Sequence, residues 1–215
     1  MRSVRFATED GVSLEGEVHE PSGEPAGSAV ICHPLPAAGG SKDHPLLWAI
    51  RGELTRRRFV VLAFNFRGVM GSEGEYAGGE KEPLDARAAI DRAREEVEGP
   101  TFVAGWSFGG HVALREAVHD ERVGALGLVG PPLAEELLEM PPLPSRQELQ
   151  GLARPVLIVV GEADQFCPVP EAQALARRLP DARIEVVEDA DHFFWHRELD
   201  VAGRIGEFAE GRLLA

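Results

Sequence analysis

A chain of 215 residues that is 44% hydrophobic can bury a full core, and we expect a single domain over residues 1–215. Its 36 acidic residues outnumber 22 basic ones, and the net charge of −14 repels phosphate and anionic lipid, which argues against nucleic-acid and membrane partners. With two cysteines, no basic-then-apolar leader and no long apolar run, the sequence predicts a cytoplasmic protein without a disulfide framework.

The chain begins with a predicted hairpin and continues as alternating strands and helices. Apolar and polar residues alternate on both sides of Asp10-Gly11, which is typical of two half-exposed strands at a sheet edge. Continuous apolar runs then alternate with amphipathic segments, which favours one α/β domain with a mostly parallel, twisted, eight-stranded sheet and helices on both faces. The predicted strands cover residues 3–8, 12–19, 28–32, 59–64, 101–104, 123–129, 155–160 and 183–187. The predicted helices cover about 46–57, 83–96, 109–119, 171–179 and 199 to the end, with Ser41 or Asp43 as a cap for the first.

Residues 133–152 are the only candidate insertion in this alternation. Pro141, Pro142 and Pro144 divide the stretch into two short possible helices. It is too small for a separate domain, so we expect a minimal cap that forms a partial rim.

The pattern GxSxG occupies residues 105–109, between an apolar strand and an apolar-periodic helix. In a nucleophile elbow the central residue, here Ser107, sits in a strained turn above the sheet, and the flanking glycines let backbone pass closely. The following helix start points free N–H groups at negative charge on a substrate oxygen. The alternative is a glycine-rich strand-to-helix turn with an incidental serine.

A base and an acid for this serine follow later strands. Reacting groups collect at the carboxyl ends of strands in open α/β sheets, and these ends deliver Ser107, then Asp164, then His192. Serine needs a base, and the base needs a carboxylate to fix its tautomer. The chain order Ser, Asp, His distinguishes this architecture from other folds that carry such a triad. Glu162 is the main rival for the acid, with Asp189 and Asp191 weaker.

Two backbone N–H groups are candidates for an oxyanion hole. Phe108 follows the nucleophile directly, and Leu35 is the only donor between Pro34 and Pro36 in the loop after the third strand. The alternative for this HPLP segment is a rigid turn that shapes the sheet end. Arg67 could meet an anionic substrate, but pairing with a carboxylate to hold its loop is favoured.

The chain resembles the α/β-hydrolase superfamily over nearly its whole length, and in particular small, nearly lidless serine hydrolases related to dienelactone hydrolases. The resemblance rests on the HPxPxxGG loop (33–40), FNFRG (64–68), GWSFGG (105–110), GEADQFCP (161–168) and DHFF (191–194). It implies the triad Ser107, Asp164 and His192. Leu35, His44 and Met70 depart from the family pattern, so the resemblance extends to the triad but not to the substrate pocket. Dienelactone hydrolases have cysteine as the nucleophile, so a serine at this position argues against dienelactones as substrates. Haloalkane dehalogenases have aspartate there and are excluded for the same reason.

We therefore expect a serine hydrolase that cleaves small carboxylic esters through an acyl-enzyme, with no cofactor and no metal. A small-peptide or acyl-peptide hydrolase, an acyltransferase and a non-catalytic binding member of the fold are alternatives. Trp106, Phe108, Phe193 and Phe194 flank the triad, and Trp106 and Phe193 are the predicted substrate-binding residues. A short rim predicts an open site and short acyl groups, roughly acetyl to hexanoyl. The sequence does not determine the oligomeric state or the natural substrate.

Overall fold

The computed structural model describes residues 1–134 and 140–214. Within them, eight strands form one sheet with the order β1-β2-β4-β3-β5-β6-β7-β8. The strands are β1 (Arg2–Ala7), β2 (Ser13–His19), β3 (Gly27–Cys32), β4 (Phe59–Phe64), β5 (Thr101–Trp106), β6 (Val123–Val129), β7 (Val156–Gly161) and β8 (Ala182–Val187). The helices are α1 (Pro45–Arg56), α2 (Glu82–Arg94), α3 (Phe108–Ala117), α4 (Arg146–Gly151), α5 (Val169–Ala176) and α6 (Glu198–Leu213).

Strands β3 to β8 run parallel, and the amino-terminal hairpin adds antiparallel pairs at one edge. The continuous apolar runs lie in the middle of the sheet, where β3, β4, β5 and β7 are buried along their whole length. The hairpin strands alternate in burial because only one of their faces is covered. The predicted α/β-hydrolase fold, with its mostly parallel eight-stranded sheet, is confirmed.

Two apolar layers cover the two faces of the sheet. On one face, α2, α3, α4 and α5 contribute Ile90, Val112, Leu149 and Ala172 to a core with inward-facing strand residues. On the other, α1 and α6 pack together through residues such as Leu46, Ile50, Val201 and Ile205. The carboxyl ends of the central strands are left uncovered by these helices, and the loops there carry the candidate site.

Two local expectations change in the structure. The cap of α1 is His44, whose Nδ1 accepts a hydrogen bond from the Leu46 N–H, and neither Ser41 nor Asp43 is the capping residue. Pro45 occupies the first helical position, where its fixed φ suits a helix start. The capping position is therefore residue 44, which follows both Ser41 and Asp43 in the chain. In the predicted rim 133–152, α4 is a helix with a Ser145–Glu148 capping box, whereas residues 135–139 lie outside the described residues.

The buried Arg67 side chain has a structural role. The Arg67 guanidinium donates to Asp85 at 2.6 Å and to Asp10 at 2.9 Å, and so joins α2 to the turn of the hairpin. This is the structural alternative predicted for Arg67.

Cys32 and Cys167 are free and buried, and burial raises the pKa of both thiols. In the described part of the chain, no helix has the length and apolar character needed to cross a membrane.

Candidate active site

The carboxyl ends of β5, β7 and β8 bring three of the predicted residues together. Ser107 directly follows β5, Asp164 lies three residues beyond β7, and His192 lies five residues beyond β8. These strands are neighbours on one side of the sheet, with only β6 between β5 and β7. All three side chains are buried. Residues separated by up to 85 positions in the chain therefore meet at one sheet edge.

Ser107 occupies a strained turn, with φ 54° and ψ −124°. A non-glycine residue adopts such a conformation only where the surrounding structure holds it, and here the Ser107 N–H donates to Val129 O at 2.8 Å. The turn also needs glycine at position 109, because a Cβ there would come within 2.2 Å of Cys32 O and 2.6 Å of His33 O. The start of α3 thus lies directly against the end of β3, which brings the elbow and the His33–Gly40 loop into contact.

Ser107, His192 and Asp164 form one hydrogen-bonded chain. His192 Nε2 lies 2.9 Å from Ser107 Oγ, and His192 Nδ1 lies 2.9 Å from Asp164 Oδ2 and 3.0 Å from Oδ1. An ionised carboxylate only accepts hydrogen bonds, so Nδ1 carries the proton of a neutral ring. Nε2 is then the acceptor that faces the serine hydroxyl.

The Asp164 carboxylate is fixed from behind by backbone. Its Oδ1 accepts from the N–H groups of Phe166 and Cys167, each at 2.9 Å. The rival Glu162 is exposed and accepts instead from the Asp189 N–H at 3.3 Å. Asp191 accepts from the Phe193 N–H. Of the four acids considered from the sequence, Asp164 alone has a hydrogen bond to the His192 ring among the described contacts.

The loop after β3 is held by His33. Its Nδ1 donates to Pro34 O at 2.7 Å and its Nε2 accepts from the Phe66 N–H at 3.0 Å, so the ring is neutral. Burial lowers the pKa of His33 to about 4, which keeps this arrangement at neutral pH. The sequence signal for this role was the position of His33 directly after the buried third strand.

The Leu35 and Phe108 N–H groups are both available at this edge. Within the described residues, the Leu35 N–H donates no hydrogen bond, while the Leu35 carbonyl accepts from Ala38 and Gly40. Phe108 is the first residue of α3, so its N–H has no acceptor inside the helix. Two unpaired backbone donors beside a buried serine can stabilise an oxygen that becomes negatively charged.

A cavity of about 290 Å³ adjoins the hydrogen-bonded chain. Trp106 and Phe193, the predicted substrate-binding residues, both line it, and Leu35 forms part of its wall. The Trp106 Nε1–H donates to His192 O at 3.1 Å, which ties this wall to the histidine. The lining residues are Pro34, Leu35, 38–40, His44, Trp106, Ser107, Phe166, His192, Phe193 and Trp195.

Two of the expected aromatic walls lie elsewhere. Phe108 and Phe194 are both fully buried. The Phe108 ring packs in the core against Phe66 and Tyr76, which belong to the segment between β4 and α2. Phe194 packs on the other face of the sheet. Of the four aromatic residues that flank the triad in the sequence, these two therefore belong to the core and not to the cavity wall.

Sequence reasoning missed three aromatic residues that do line the cavity: His44, Phe166 and Trp195. The Phe166 ring lies 4.7 Å from the His192 ring between centroids. Phe166 belongs to the GEADQFCP motif, so its proximity to Asp164 in the chain was an available signal. His44 was marked only as a departure from the family pattern, and Trp195 directly follows the DHFF motif in the chain.

The charge of the site is low. Among the described residues that line the cavity, none is Asp, Glu, Lys or Arg. Desolvation lowers the pKa of His44, which favours its neutral form. Over residues 1–134 and 140–214, no three His, Cys, Asp or Glu side chains cluster as ligands of a metal ion would. The site therefore offers apolar walls, a buried hydroxyl with a base, and backbone donors.

Comparison with known proteins places this geometry in a family. The structure of an α/β serine hydrolase homologue from Coxiella burnetii is 26% identical, covers 96% of both chains and has a TM-score of 0.84. An α/β serine hydrolase without lid from Xanthomonas campestris is 24% identical over 100% of this chain and 95% of its own, with a TM-score of 0.83. Rhodomycin D methylesterase from Streptomyces peucetius is 32% identical over 69 residues, which are 32% of this chain and 23% of that enzyme. The model of the α/β hydrolase domain family matches residues 29–204, and the chain belongs to that family.

Proposed function

We propose that this α/β hydrolase is a serine esterase that cleaves small, uncharged carboxylic esters through an acyl-enzyme. The observation that carries the proposal is the continuous hydrogen-bonded chain from Ser107 Oγ through His192 to Asp164, at 2.9 Å for each step. A structural serine at a strand end needs neither a histidine acceptor nor a carboxylate behind that histidine. The methylesterase relationship over 69 residues supports ester chemistry.

In the first half of the reaction, Ser107 Oγ attacks the ester carbonyl carbon while His192 Nε2 takes the hydroxyl proton. The carbonyl π electrons move to the oxygen, which accepts hydrogen bonds from the Leu35 and Phe108 N–H groups. Asp164 keeps the His192 ring in the tautomer that can accept and stabilises the imidazolium. The carbonyl then re-forms, the bond to the alcohol oxygen breaks, and His192 protonates the departing alkoxide.

In the second half, water takes the position of the alcohol. His192 removes a proton from the water, the hydroxide attacks the acyl carbon, and the bond to Ser107 Oγ breaks as His192 returns the proton to the serine. The carboxylic acid leaves and the free enzyme is restored. The proton transfers use Ser107 and His192, which already lie within hydrogen-bonding distance of each other, and the proposed cycle needs no cofactor.

A fluorophosphonate probe and a panel of p-nitrophenyl esters test this function. We expect labelling and ester hydrolysis by the wild-type chain, with the phosphonyl adduct located on Ser107 by mass spectrometry. Ser107→Ala should abolish both while leaving the melting temperature close to that of the wild type. Ser22→Ala, at an exposed serine in the loop before β3, is the matched control and should retain both.

Labelling that survives Ser107→Ala would remove Ser107 as nucleophile. Labelling without ester hydrolysis, accompanied by cleavage of short acyl-peptides, would assign the chain to the peptidase alternative. Ester turnover accelerated by an added alcohol, with acyl transfer to it, would assign it to the acyltransferases. An unlabelled, inactive wild type would indicate a binding role.

A further inference from the structure

The cavity beside Ser107 has an unusual wall made of four rings. His44, Trp106, Phe193 and Trp195 all line it, and we call these four side chains the aromatic wall. His44 lies 4.3 Å from Trp106 and 5.9 Å from Trp195 between ring centroids. Phe193 packs edge-on to Trp106 at 6.5 Å. The rings are therefore neighbours of one another and form a continuous surface.

The backbone conformation of residues 193–195 leaves two of these rings, Phe193 and Trp195, exposed to solvent. Phe193 is 41% exposed and Trp195 is 55% exposed, whereas Phe194 between them is fully buried. Phe194 has φ 53°, which is rare for an aromatic residue, and its carbonyl accepts from the Arg197 N–H at 2.9 Å. Strain of this kind persists where the surrounding structure imposes it and is common at ligand sites. Here it anchors Phe194 in the core, while Phe193 and Trp195 line the cavity.

The polar features of the wall restrict what it can hold. His44 Nδ1 accepts from the Leu46 N–H at 3.3 Å, so the neutral ring carries its proton on Nε2. Desolvation lowers the pKa of His44, which favours the neutral ring. None of the described residues that line the cavity is Asp, Glu, Lys or Arg. The whole chain carries a net charge of −14, which opposes the approach of anions. An uncharged ligand group suits this wall.

The volume is sufficient for a six-membered ring together with an ester group. A dry cavity of about 150 Å³ holds a benzene molecule, and the cavity here measures about 290 Å³. Aromatic side chains attract other rings beyond the effect of buried area, through offset-stacked and edge-to-face contacts. An alkyl group would gain only the area term.

We propose that the aromatic wall is a subsite for a planar aromatic ring, so that the preferred substrates are uncharged esters carrying such a ring on the acyl or the alcohol side. This inference rests on the proposed esterase function and names the substrate class of that site. Ring-to-ring contacts with Trp195 and Phe193 provide the preference, and His44 and Trp106 form the back of the subsite.

Two matched pairs of esters separate aromatic recognition from simple burial. Benzyl acetate and cyclohexylmethyl acetate differ only in the ring of a primary alcohol, and methyl phenylacetate and methyl cyclohexylacetate differ only in the ring of the acyl group. The saturated rings are the more hydrophobic, so burial alone favours them. We expect the aromatic member of at least one pair to have a kcat/KM about two- to tenfold higher.

The variants test which residues produce the preference. Trp195→Leu and Phe193→Leu keep apolar area but remove a ring, and each should lower the aromatic-to-saturated ratio towards one. Trp195→Phe should restore most of the ratio. Trp48→Leu is the matched control, because Trp48 is similarly exposed (48%) but does not line the cavity, and the ratio should be unchanged.

A ratio at or below one for both pairs in the wild type overturns the inference, and so does a preference that both leucine variants retain. Failure of the proposed function gives a different result. In that case none of the four esters is hydrolysed and the fluorophosphonate probe does not label Ser107.

Discussion

Gly130 lies directly behind the Asp164 carboxylate. A Cβ at Gly130 would stand 2.9 Å from Asp164 Oδ2 and 3.2 Å from His192 Nδ1, and the residue has φ 50°. Its N–H donates to Val159 O at 2.8 Å, so the backbone there is tied to β7 and cannot retreat. The turn at the end of β6 therefore provides the space in which the Asp164 carboxylate and the His192 ring meet.

Gly130→Ala should damage both stability and activity. Left-handed backbone costs an alanine about 1–2 kcal/mol, and the added methyl group must displace the carboxylate or the ring. We expect a lower melting temperature and a loss of kcat/KM of at least about tenfold, since small misplacements of reacting groups are costly. Gly203→Ala in α6 is the control, because a Cβ there meets nothing within 4 Å. It should lower neither the melting temperature nor kcat/KM. Wild-type kcat/KM in Gly130→Ala would contradict this account.

Asp164→Asn should leave the loop intact but misdirect the histidine. The asparagine Oδ1 can still accept from the Phe166 and Cys167 N–H groups, which places the amide NH₂ against His192 Nδ1. The ring must then carry its proton on Nε2, facing Ser107, where it cannot act as a base. We expect kcat to fall by about 10⁴-fold. Glu162→Gln should retain activity, and the opposite pattern in the two variants would transfer the acid role to Glu162.

Leu35→Pro removes one backbone donor with little other change. Leu35 has φ −50°, within the range that proline adopts, so the substitution is compatible with the backbone at that residue. Loss of one oxyanion donor is expected to lower kcat by about 10²- to 10³-fold. Leu35→Ala keeps the N–H and should lose far less. Equal kcat values for the two variants would show that the Leu35 N–H does not face the reacting oxygen.

Stability should fall as the pH is lowered through the range set by two buried histidines. Burial lowers the pKa of His33 and of His111 to about 4, below the value of about 6.5 for an exposed histidine. Between these values the unfolded chain binds more protons than the folded chain, so the free energy of unfolding decreases with decreasing pH. We expect a lower melting temperature at pH 5 than at pH 7.5.

His111→Leu is the sharper form of the same test. Within the described residues neither ring nitrogen of His111 has a hydrogen-bond partner, so leucine removes a titrating group without breaking such a contact. The fall in melting temperature between pH 7.5 and pH 5 should be smaller than in the wild type. An unchanged fall in His111→Leu would exclude His111 as a contributor.

For saturated acyl groups, the preference should be for short chains. Each buried CH₂ contributes about 0.8 kcal/mol, but only while the cavity can enclose it. At about 290 Å³, with exposed Phe193 and Trp195 in its wall, the cavity encloses few of them. In a series of p-nitrophenyl esters, kcat/KM should reach its maximum by about six carbons. A value that still rises at about twelve carbons would require an acyl tunnel.

The parts of the site that the sequence predicts are those attached to regular elements. Apolar runs define the strands, and residues within five positions of three strand ends include Ser107, Asp164 and His192, which the sequence predicts to meet because parallel strands end at the same edge. The hydrogen bonds among these residues follow from this topology. His33 and Leu35 were likewise marked by their position after a buried strand.

The walls of the cavity could not be predicted in the same way. The stretch 193–195 contains three consecutive aromatic residues, and which of them enter the core depends on the sign of φ at Phe194. That sign is decided by tertiary packing and not by residue type, so the sequence could not separate Phe193, which lines the cavity, from Phe194, which is buried. His44 had the appearance of a helix-start residue, which it is, and its second position against Trp106 depends on how α1 meets the sheet.

Phe193 and Trp195, which we propose select the substrate, are exposed, whereas the residues that stabilise the fold are buried. Neither side chain belongs to the two apolar layers, and Phe193 meets the layer that contains Phe194 only at the edge of Trp106 among the described ring contacts. Most substitutions at positions 193 and 195 should therefore leave the free energy of unfolding nearly unchanged. Substitutions at these two surface positions are therefore expected to change the ester preference without requiring compensating mutations in the interior.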